Sequence, residues 1–189
     1  MDVPEAKLEQ TDTGLVPAVP GWFVLNARDA RWHARPGRRS VSFTGKNEWE
    51  ADTLFPMLGV QLAVIEPGEP NSTYHWETEA EAFLVLQGEA LLIVEGQERP
   101  LRQWDFVHLP PKTEHVVVGA GDGPCIVVAM SSRENQQFGP YGEYPANEVA
   151  ARHGASPKTT QDADEFEANW PPGGESQPSR YREGWLPGD

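Results

Sequence analysis

The feature that most constrains the fold is a series of short apolar segments between Gly59 and Ser131. Val, Ile, Leu and Phe dominate the segments, and Gly, Pro and Asp occupy the breaks between them. This pattern predicts an all-β sandwich or barrel. Because no helical pattern separates the segments, we expect antiparallel hairpins rather than a parallel sheet. The segments are GVQLAVIE, STYHWE, EAFLVLQ, EALLIVE, RPL, DFVHLP, EHVVVG and CIVVAM.

Three regions of different composition follow one another along the 189 residues. Residues 1–55 form an N-terminal extension, whose strands we expect to pack on the barrel or on a dimer partner. Residues 56–132 form the barrel itself. Residues 133–189 form a C-terminal extension rich in Pro, Gly and acidic residues.

The C-terminal extension contains two predicted short helices. The first lies in PANEVAARHGAS and is closed by Gly154, and the second lies in TQDADEFEANWPP, beginning at Thr160 or Asp162. The final residues have linker composition but carry aromatic side chains. We expect these side chains to pack on the chain's own barrel or on a partner subunit. They are Trp170, Tyr181 and Trp185.

Charge and cysteine content exclude several classes of function. The chain has 15 basic and 29 acidic residues, a net charge of −14, which would repel nucleic acid and anionic membrane surfaces. It has no run of about eighteen apolar residues and no signal-like start, so we expect a soluble protein that is not secreted. The single cysteine, Cys125, excludes a disulfide within the chain and fits a reducing cytoplasm.

The stretch STYHWETEAEAFLVLQG places several charges directly before an apolar strand. Residues two apart in a strand share a face, so His75 and Glu77 point together, as does Glu81 after an intervening turn in which Glu79 would be exposed. His115 follows a Pro-Pro turn at the start of another strand. A carboxylate near apolar surface is costly unless it is paired or bound to a metal. Two imidazoles and two carboxylates converging in a barrel therefore predict a metal site.

Less specific interpretations remain open for several of these residues. His75 and His115 could instead be hydrogen-bonded core histidines, each beside a glutamate. We expect Tyr74 and Trp76 on the outer face of the barrel or under the N-terminal segment, because they alternate with His75. For His108 we expect a packing or subunit-contact role. The residues that could line an apolar cavity, or be ordinary core, are Phe83, Val85, Phe106 and Val117.

These residues resemble the cupin superfamily over roughly Gly59–Ser131. The first cupin motif has two histidines separated by one residue, then a glutamate and, after six intervening residues, a glycine. The second has glycine, proline, glycine, histidine and asparagine at fixed spacing. The residues that match are His75, Glu81, Gly88, Pro110 and His115. Fifteen residues separate the two motifs, which resembles the short bacterial form of the family.

The resemblance implies a cupin-type β-barrel, a double-stranded β-helix or jelly roll, with one divalent metal ion. The ligands it implies are His75, Glu77, Glu81 and His115. Glu77 replaces the second histidine, and a carboxylate there favours Zn, Fe, Mn or Ni over soft metals. If Glu77 turns aside, the other three form a face of two histidines and one carboxylate, and Glu77 is available as a general base.

Three further departures from the motifs touch no ligand. Trp104 replaces the leading glycine of the second motif, Lys112 replaces its central glycine, and Gly119 replaces its asparagine.

The cupin fold does not select one reaction. The resemblance implies a metal-dependent enzyme of dioxygenase or isomerase type, acting on a small organic molecule in the barrel. The alternative is a non-catalytic ligand-binding or sensing cupin with a structural metal, and a third possibility is a barrel without metal. Exchangeable metal positions would distinguish the first two. We also expect a homodimer, in which strands near Trp22–Leu25 or Val41–Phe43 add to the neighbour's sheet.

Overall fold

The computed structural model describes residues 4–19, 21–43, 58–132, 142–162 and 176–188. Within these ranges the chain forms fifteen strands and one helix, which confirms the predicted all-β class. The strands are β1 (Leu8–Thr11), β2 (Gly14–Pro17), β3 (Trp32–Arg35), β4 (Arg38–Ser42), β5 (Leu58–Ile65), β6 (Trp76–Glu77), β7 (Glu81–Gln87), β8 (Glu89–Val94), β9 (Gln97–Arg102), β10 (Phe106–Leu109), β11 (His115–Ala120), β12 (Cys125–Ser132), β13 (Gly142–Tyr144), β14 (Gln161–Asp162) and β15 (Gln177–Ser179). The helix is α1 (Glu148–Arg152).

The strands form one large sheet and three small ones. The large sheet has seven strands in the order β10-β7-β12-β5-β4-β3-β15, and the small sheets have the orders β11-β8-β9, β14-β13-β6 and β1-β2. Every ladder between these strands is antiparallel, as the absence of connecting helices predicted. Strands of both extensions continue the sheet that begins in the barrel, because β4 pairs with β5 and β15 pairs with β3.

The barrel strands bury side chains on both faces. One set of alternate residues fills the interior, which we call the inner core. It is composed of Ala63, Ile65, Phe83, Val85, Ala90, Leu92, Val107, Leu109, Val117, Cys125 and Val127. Because these residues come from β5, β7 and β12 on one side and from β8 and β11 on the other, the inner core closes the barrel.

The opposite face of β5 and β12 contributes to a second cluster, the outer core. Its buried members are Ala30, Trp32, Val41, Leu62, Val64 and Ile126. Tyr181 and Trp185 pack against Trp32, with ring centroids 5.7 and 5.2 Å away. The predicted packing of these two aromatic residues on the chain's own barrel is confirmed, while Trp170 lies outside the described residues.

A third cluster covers the outer face of β8 and β11. Its buried members are Tyr74, Ile93, Val116, Val118, Ala150 and Ala155. Tyr74 lies opposite to His75, as alternation predicted, but it is covered by residues of α1 and the segment after it rather than by the N-terminal segment. Burial raises the pKa of Tyr74 to about 12, so its hydroxyl stays protonated.

The first predicted C-terminal helix is confirmed as α1. Asn147 caps it, since its Oδ1 accepts hydrogen bonds from the amides of Val149 and Ala150. Gly154 follows with a φ of 67°, which is the backbone conformation expected after a helix end. The second helix does not begin at Thr160, because Gln161–Asp162 pair with β13 as a strand; the rest of that segment lies outside the described residues.

The pairing of the N-terminal strands limits which segments could pair with a partner subunit in the predicted homodimer. Val41 lies between Trp32 and Leu62 in the chain's own sheet. Both edges of this strand are therefore paired within the chain, and the expectation that Val41–Phe43 adds to a neighbour's sheet is wrong. The homodimer itself stays a prediction. The limits of the three regions also stay predictions. The boundary between the N-terminal extension and the barrel, at residues 55 and 56, lies outside the described residues.

Candidate metal centre

The two motif histidines face each other across an antiparallel bridge. The amide of His75 donates to the carbonyl of His115 at 3.1 Å, and the amide of His115 donates to the carbonyl of His75 at 2.7 Å. Their imidazole centroids are 4.8 Å apart, and both residues are buried. Backbone hydrogen bonds therefore hold the two histidines side by side, although they are forty positions apart in the sequence.

Each imidazole is oriented by a carbonyl two residues earlier in the chain. Nδ1 of His75 lies 2.7 Å from the carbonyl oxygen of Thr73, and Nδ1 of His115 lies 2.9 Å from that of Thr113. A carbonyl only accepts, so each Nδ1 carries a proton, and each Nε2 presents a lone pair when its imidazole is neutral. This is the arrangement in which histidines bind metal ions, with the second nitrogen fixed by an outer partner.

Two carboxylates approach these Nε2 atoms. Oε2 of Glu81 lies 3.2 Å from Nε2 of His115, and Oε1 of Glu77 lies 3.6 Å from Nε2 of His75. The ligand atoms of His75, Glu81 and His115 all lie within 4.8 Å of one another. Glu77 borders this group and is itself buried.

Nε2 of His115 has no hydrogen-bond partner among the described residues although it is buried. Its lone pair and the carboxylate oxygen of Glu81 are both acceptors, and two acceptors at 3.2 Å repel unless a proton or a cation lies between them. Burial, followed by the charge of His75, lowers the pKa of His115 to about 3. A proton on Nε2 of His115 is therefore disfavoured, and a metal ion fits this unsatisfied atom.

His75 experiences a different electrostatic environment. Burial acts to lower its pKa, but the hydrogen bond with Glu77 and the charges of Glu81 and Glu77 outweigh this effect and raise the pKa. The acidic pair thus attracts positive charge to the site. Tyr144 of β13 stacks on the His75 ring, with centroids 5.4 Å apart. This contact cannot be predicted from local sequence, because it depends on the pairing of β13 with β6.

A cavity of about 110 Å³ opens beside these side chains. Phe83 and Val117 line it, as predicted, and Val85 belongs to the inner core. Phe106 does not line it: the side chain is 62% exposed, because β10 turns Val107 and Leu109 inward and Phe106 and His108 outward. The lining residues are Arg38, Gly59, Gln61, Asn71, Ser72, His75, Glu77, Glu81, Phe83, His115, Val117, Ala129, Met130 and Ser131.

Two residues were misjudged or missed from the sequence. The sequence predicts that Glu79 is exposed in a turn, but it is 2% exposed and its Oε2 accepts a hydrogen bond from Ser132 at 2.6 Å. The turn is covered because β12 extends to Ser132 beside it. Arg38 belongs to the basic stretch RWHARPGRR, and the pairing of β4 with β5 brings it to the cavity.

Backbone conformation and backbone contacts account for the three positions at which this chain departs from the second motif without touching a ligand. Trp104 and Lys112 replace motif glycines but keep positive φ angles of 75° and 67°, a conformation that favours glycine. Gly119 replaces an asparagine, and a Cβ there would meet the carbonyl oxygen of Glu66 at 2.2 Å. A side chain is therefore excluded at this position in this chain.

Comparison with known proteins was consistent with this geometry. Residues 61–131 match the family model of the cupin domain. An uncharacterized protein of Methanocaldococcus jannaschii is 23% identical over 69 residues, which are 36% of this chain and 55% of that protein. The chain thus spans about half the length of this curated relative.

Two solved structures illustrate the likeness in three dimensions. An RmlC-like cupin from Shewanella frigidimarina superposes with a TM-score of 0.50 and 17% identity, covering 63% of this chain and 97% of that chain. A sugar phosphate isomerase from a cupin superfamily, from Silicibacter pomeroyi, superposes with a TM-score of 0.47 and 20% identity, covering 86% of each chain. The first of these supports the barrel fold.

Proposed function

We propose that the cavity holds one divalent metal ion and that the protein, whose residues 61–131 match the family model of the cupin domain, is a metal-dependent enzyme of isomerase or dioxygenase type. Its substrate would be a small organic molecule bound in the cavity. The residues that would hold the metal are His75, Glu81 and His115. The observation that carries this proposal is the buried Nε2 of His115, which faces an acceptor and has no hydrogen-bond partner among the described residues.

The bound ion would supply Lewis-acid chemistry, or oxygen activation if it is redox-active. Glu77 would move a proton. It is buried, lies beside His75 and borders the group of three ligands, so it would act as the general base toward a substrate in the cavity. Phe83 and Val117 would exclude water from the reacting groups. A proton transfer of this kind favours the isomerase type over the dioxygenase type.

The alternative of a sensing cupin with a structural metal is less well supported. A structural site is usually saturated by four protein ligands, whereas a catalytic site keeps an open position. Here three ligand residues lie beside a cavity, which leaves room for substrate.

Elemental analysis of protein purified without chelator or added metal tests the proposal. We expect close to one equivalent of Zn, Fe, Mn or Ni in the wild type, and its loss in His75→Ala and in His115→Ala. Glu77→Gln should retain the metal if Glu77 is the base and lose it if Glu77 is a ligand. His108→Ala is the matched control, because this exposed histidine of β10 points away from the cavity. Circular dichroism establishes that each variant is folded.

Failure of the wild type to contain metal, or to take it up on incubation with each of the four ions, would overturn the proposal. Loss of metal in His108→Ala to the same extent as in His115→Ala would also contradict it.

A further inference from the structure

The cavity exists because the inner face of β5, β7 and β12 changes from large to small side chains along these strands. Where the barrel is packed, Val127 of β12 lies opposite Val85 of β7, and both belong to the inner core. Further along β12, Ser131 lies between Glu81 and Gly59. Gly59 has no side chain and Ser131 has a small one, so this end of the sheet leaves a space that larger side chains fill elsewhere.

Ala129 occupies the position between these two levels of the sheet. It lies opposite Phe83 of β7 and Gln61 of β5, and all three residues line the cavity. Residues opposite one another in a sheet project from the same face. A side chain larger than a methyl group at this position would therefore extend into the cavity, and Ala129 limits the size of the molecule that the cavity can hold.

Ser131 places a hydroxyl group beside a candidate metal ligand. Glu81 is its partner across the two strands, so their side chains share a face, with Cβ atoms about 5 Å apart. Ser131 lines the cavity, is half-buried, and its hydroxyl has no hydrogen-bond partner among the residues that the structure describes. A hydroxyl that is taken out of water needs a partner. A ligand that fills the cavity must therefore supply one.

Other parts of the lining are apolar. Phe83 and Val117 line the cavity and belong to the inner core, and the ring centroids of Phe83 and His115 are 5.6 Å apart. The cavity volume is about 110 Å³, whereas a cavity of about 150 Å³ accommodates benzene. A molecule of about five heavy atoms fits this volume. It would be polar beside Glu81 and apolar beside Phe83.

We infer that the substrate is a small molecule of about five heavy atoms, with a polar, metal-binding end that hydrogen-bonds to Ser131 and an apolar end whose size is limited by Ala129. This inference deepens the proposed function and rests on it for the metal. It adds a substrate-binding residue, Ser131, and a residue that determines size specificity, Ala129. Neither belongs to the two motifs, and the pairing of β12 with β7 brings both to the site.

Isothermal titration calorimetry with acetohydroxamate tests the inference without an activity assay. This small probe binds zinc through its oxygen atoms and carries a methyl group at its other end. It is titrated into protein loaded with one equivalent of Zn²⁺. We expect Ala129→Leu to weaken its binding about tenfold or more, because the longer side chain occupies the space of the ligand. Ser131→Ala should weaken it about threefold to tenfold, the effect of one lost hydrogen bond.

A second probe separates size specificity from a general effect on the fold. Propionohydroxamate is one carbon longer than acetohydroxamate. Ala129→Gly should raise the affinity for propionohydroxamate relative to that for acetohydroxamate, because the methyl group removed from the protein makes room for the one added to the probe. A variant that only loosened the barrel would weaken the binding of both probes alike.

The two substitutions that should weaken binding have matched controls outside the cavity. Ala82→Leu makes the same change on the outer face of the sheet, since Ala82 of β7 adjoins the inward-facing Phe83. Ser179→Ala makes the same change on β15, and Ser179 is not among the described lining residues. Both controls should bind acetohydroxamate like the wild type. Ala129→Leu and Ser131→Ala should keep the Zn²⁺ affinity of the wild type, because neither position is among the ligand residues. This affinity and circular dichroism show that the variants are folded.

The outcomes separate this inference from the proposed function. If Zn²⁺ binds but acetohydroxamate does not, the inference is overturned and the metal site stands. Equal binding of acetohydroxamate by the wild type and by Ala129→Leu or Ser131→Ala overturns the role of the residue concerned. If Zn²⁺ does not bind to the wild type, the proposed function fails, and the inference fails with it.

Discussion

The inner and outer cores share strands but are built from different parts of the chain. Along β5, Ala63 and Ile65 point into the inner core while Leu62 and Val64 point into the outer core. The inner core uses only residues between positions 63 and 127, within the barrel. The outer core joins Trp32 near the start of the chain to residues near its end. The candidate metal centre adjoins the inner core. The outer core attaches the two extensions to the barrel strands.

A barrel can therefore keep a polar cavity if apolar side chains cover the outer faces of its strands. The inner core adjoins the buried His115 and the two carboxylates. The outer core contains only apolar side chains and is covered by Tyr181, Trp185 and Leu186. Burying polar groups costs free energy, and the apolar faces on the other side of the same strands contribute the stabilisation that offsets this cost.

The largest effect is expected where the outer core is broken. Trp32 is fully buried, and Trp32→Ala should lower the free energy of unfolding by about 3–5 kcal/mol, because the cavity left behind is large. Urea denaturation followed by circular dichroism measures this loss. Zn²⁺ binding by the molecules that remain folded should be unchanged, since the inner core is intact.

The control is Trp22→Ala, because Trp22 is 52% exposed. This substitution should change the free energy of unfolding by about 0.5 kcal/mol or less. Equal losses in the two variants would show that Trp32 does not hold the outer core together.

An intermediate effect is expected at the end of β11. Gly119→Ala would place a Cβ 2.2 Å from the carbonyl oxygen of Glu66, so the backbone must shift, at a cost of about 1–3 kcal/mol. Restoring the motif asparagine at this position should cost at least as much. Gly123→Ala is the control, because a Cβ at Gly123 meets no atom within 4 Å. Chemical denaturation measures the stability of both alanine variants. Equal stabilities would contradict the prediction.

The smallest effect concerns the turn before His115. Lys112 has a φ of 67°, and a residue with a Cβ pays about 1–2 kcal/mol for that conformation. Lys112→Gly should therefore be more stable than Lys112→Ala by about 1 kcal/mol, the reverse of the usual order of these two residues. Both variants lose the approach of the ammonium to the Trp76 ring, so their difference isolates the backbone. Thermal and urea unfolding measure it, and a more stable alanine variant would refute the explanation.

Much of the barrel could be predicted from local sequence. Seven of the eight apolar segments became strands with limits close to those predicted, because each alternates or runs apolar between strong turn residues. The segment STYHWE is the exception, since only Trp76–Glu77 form a strand and His75 makes an isolated bridge. Even so, the predicted convergence of His75 with His115 is confirmed.

The sequence by itself determined the all-β class, the barrel strands, the first C-terminal helix and the histidines and carboxylates that meet. These follow from the period of the strand, from turn residues and from motif spacing, which are local properties. Only the tertiary structure decided that Glu79 is buried, that Phe106 is exposed, that Tyr144 covers His75 and that Arg38 enters the cavity. Each of these depends on which strand lies beside which, and strand pairing is fixed by contacts between residues far apart in the chain.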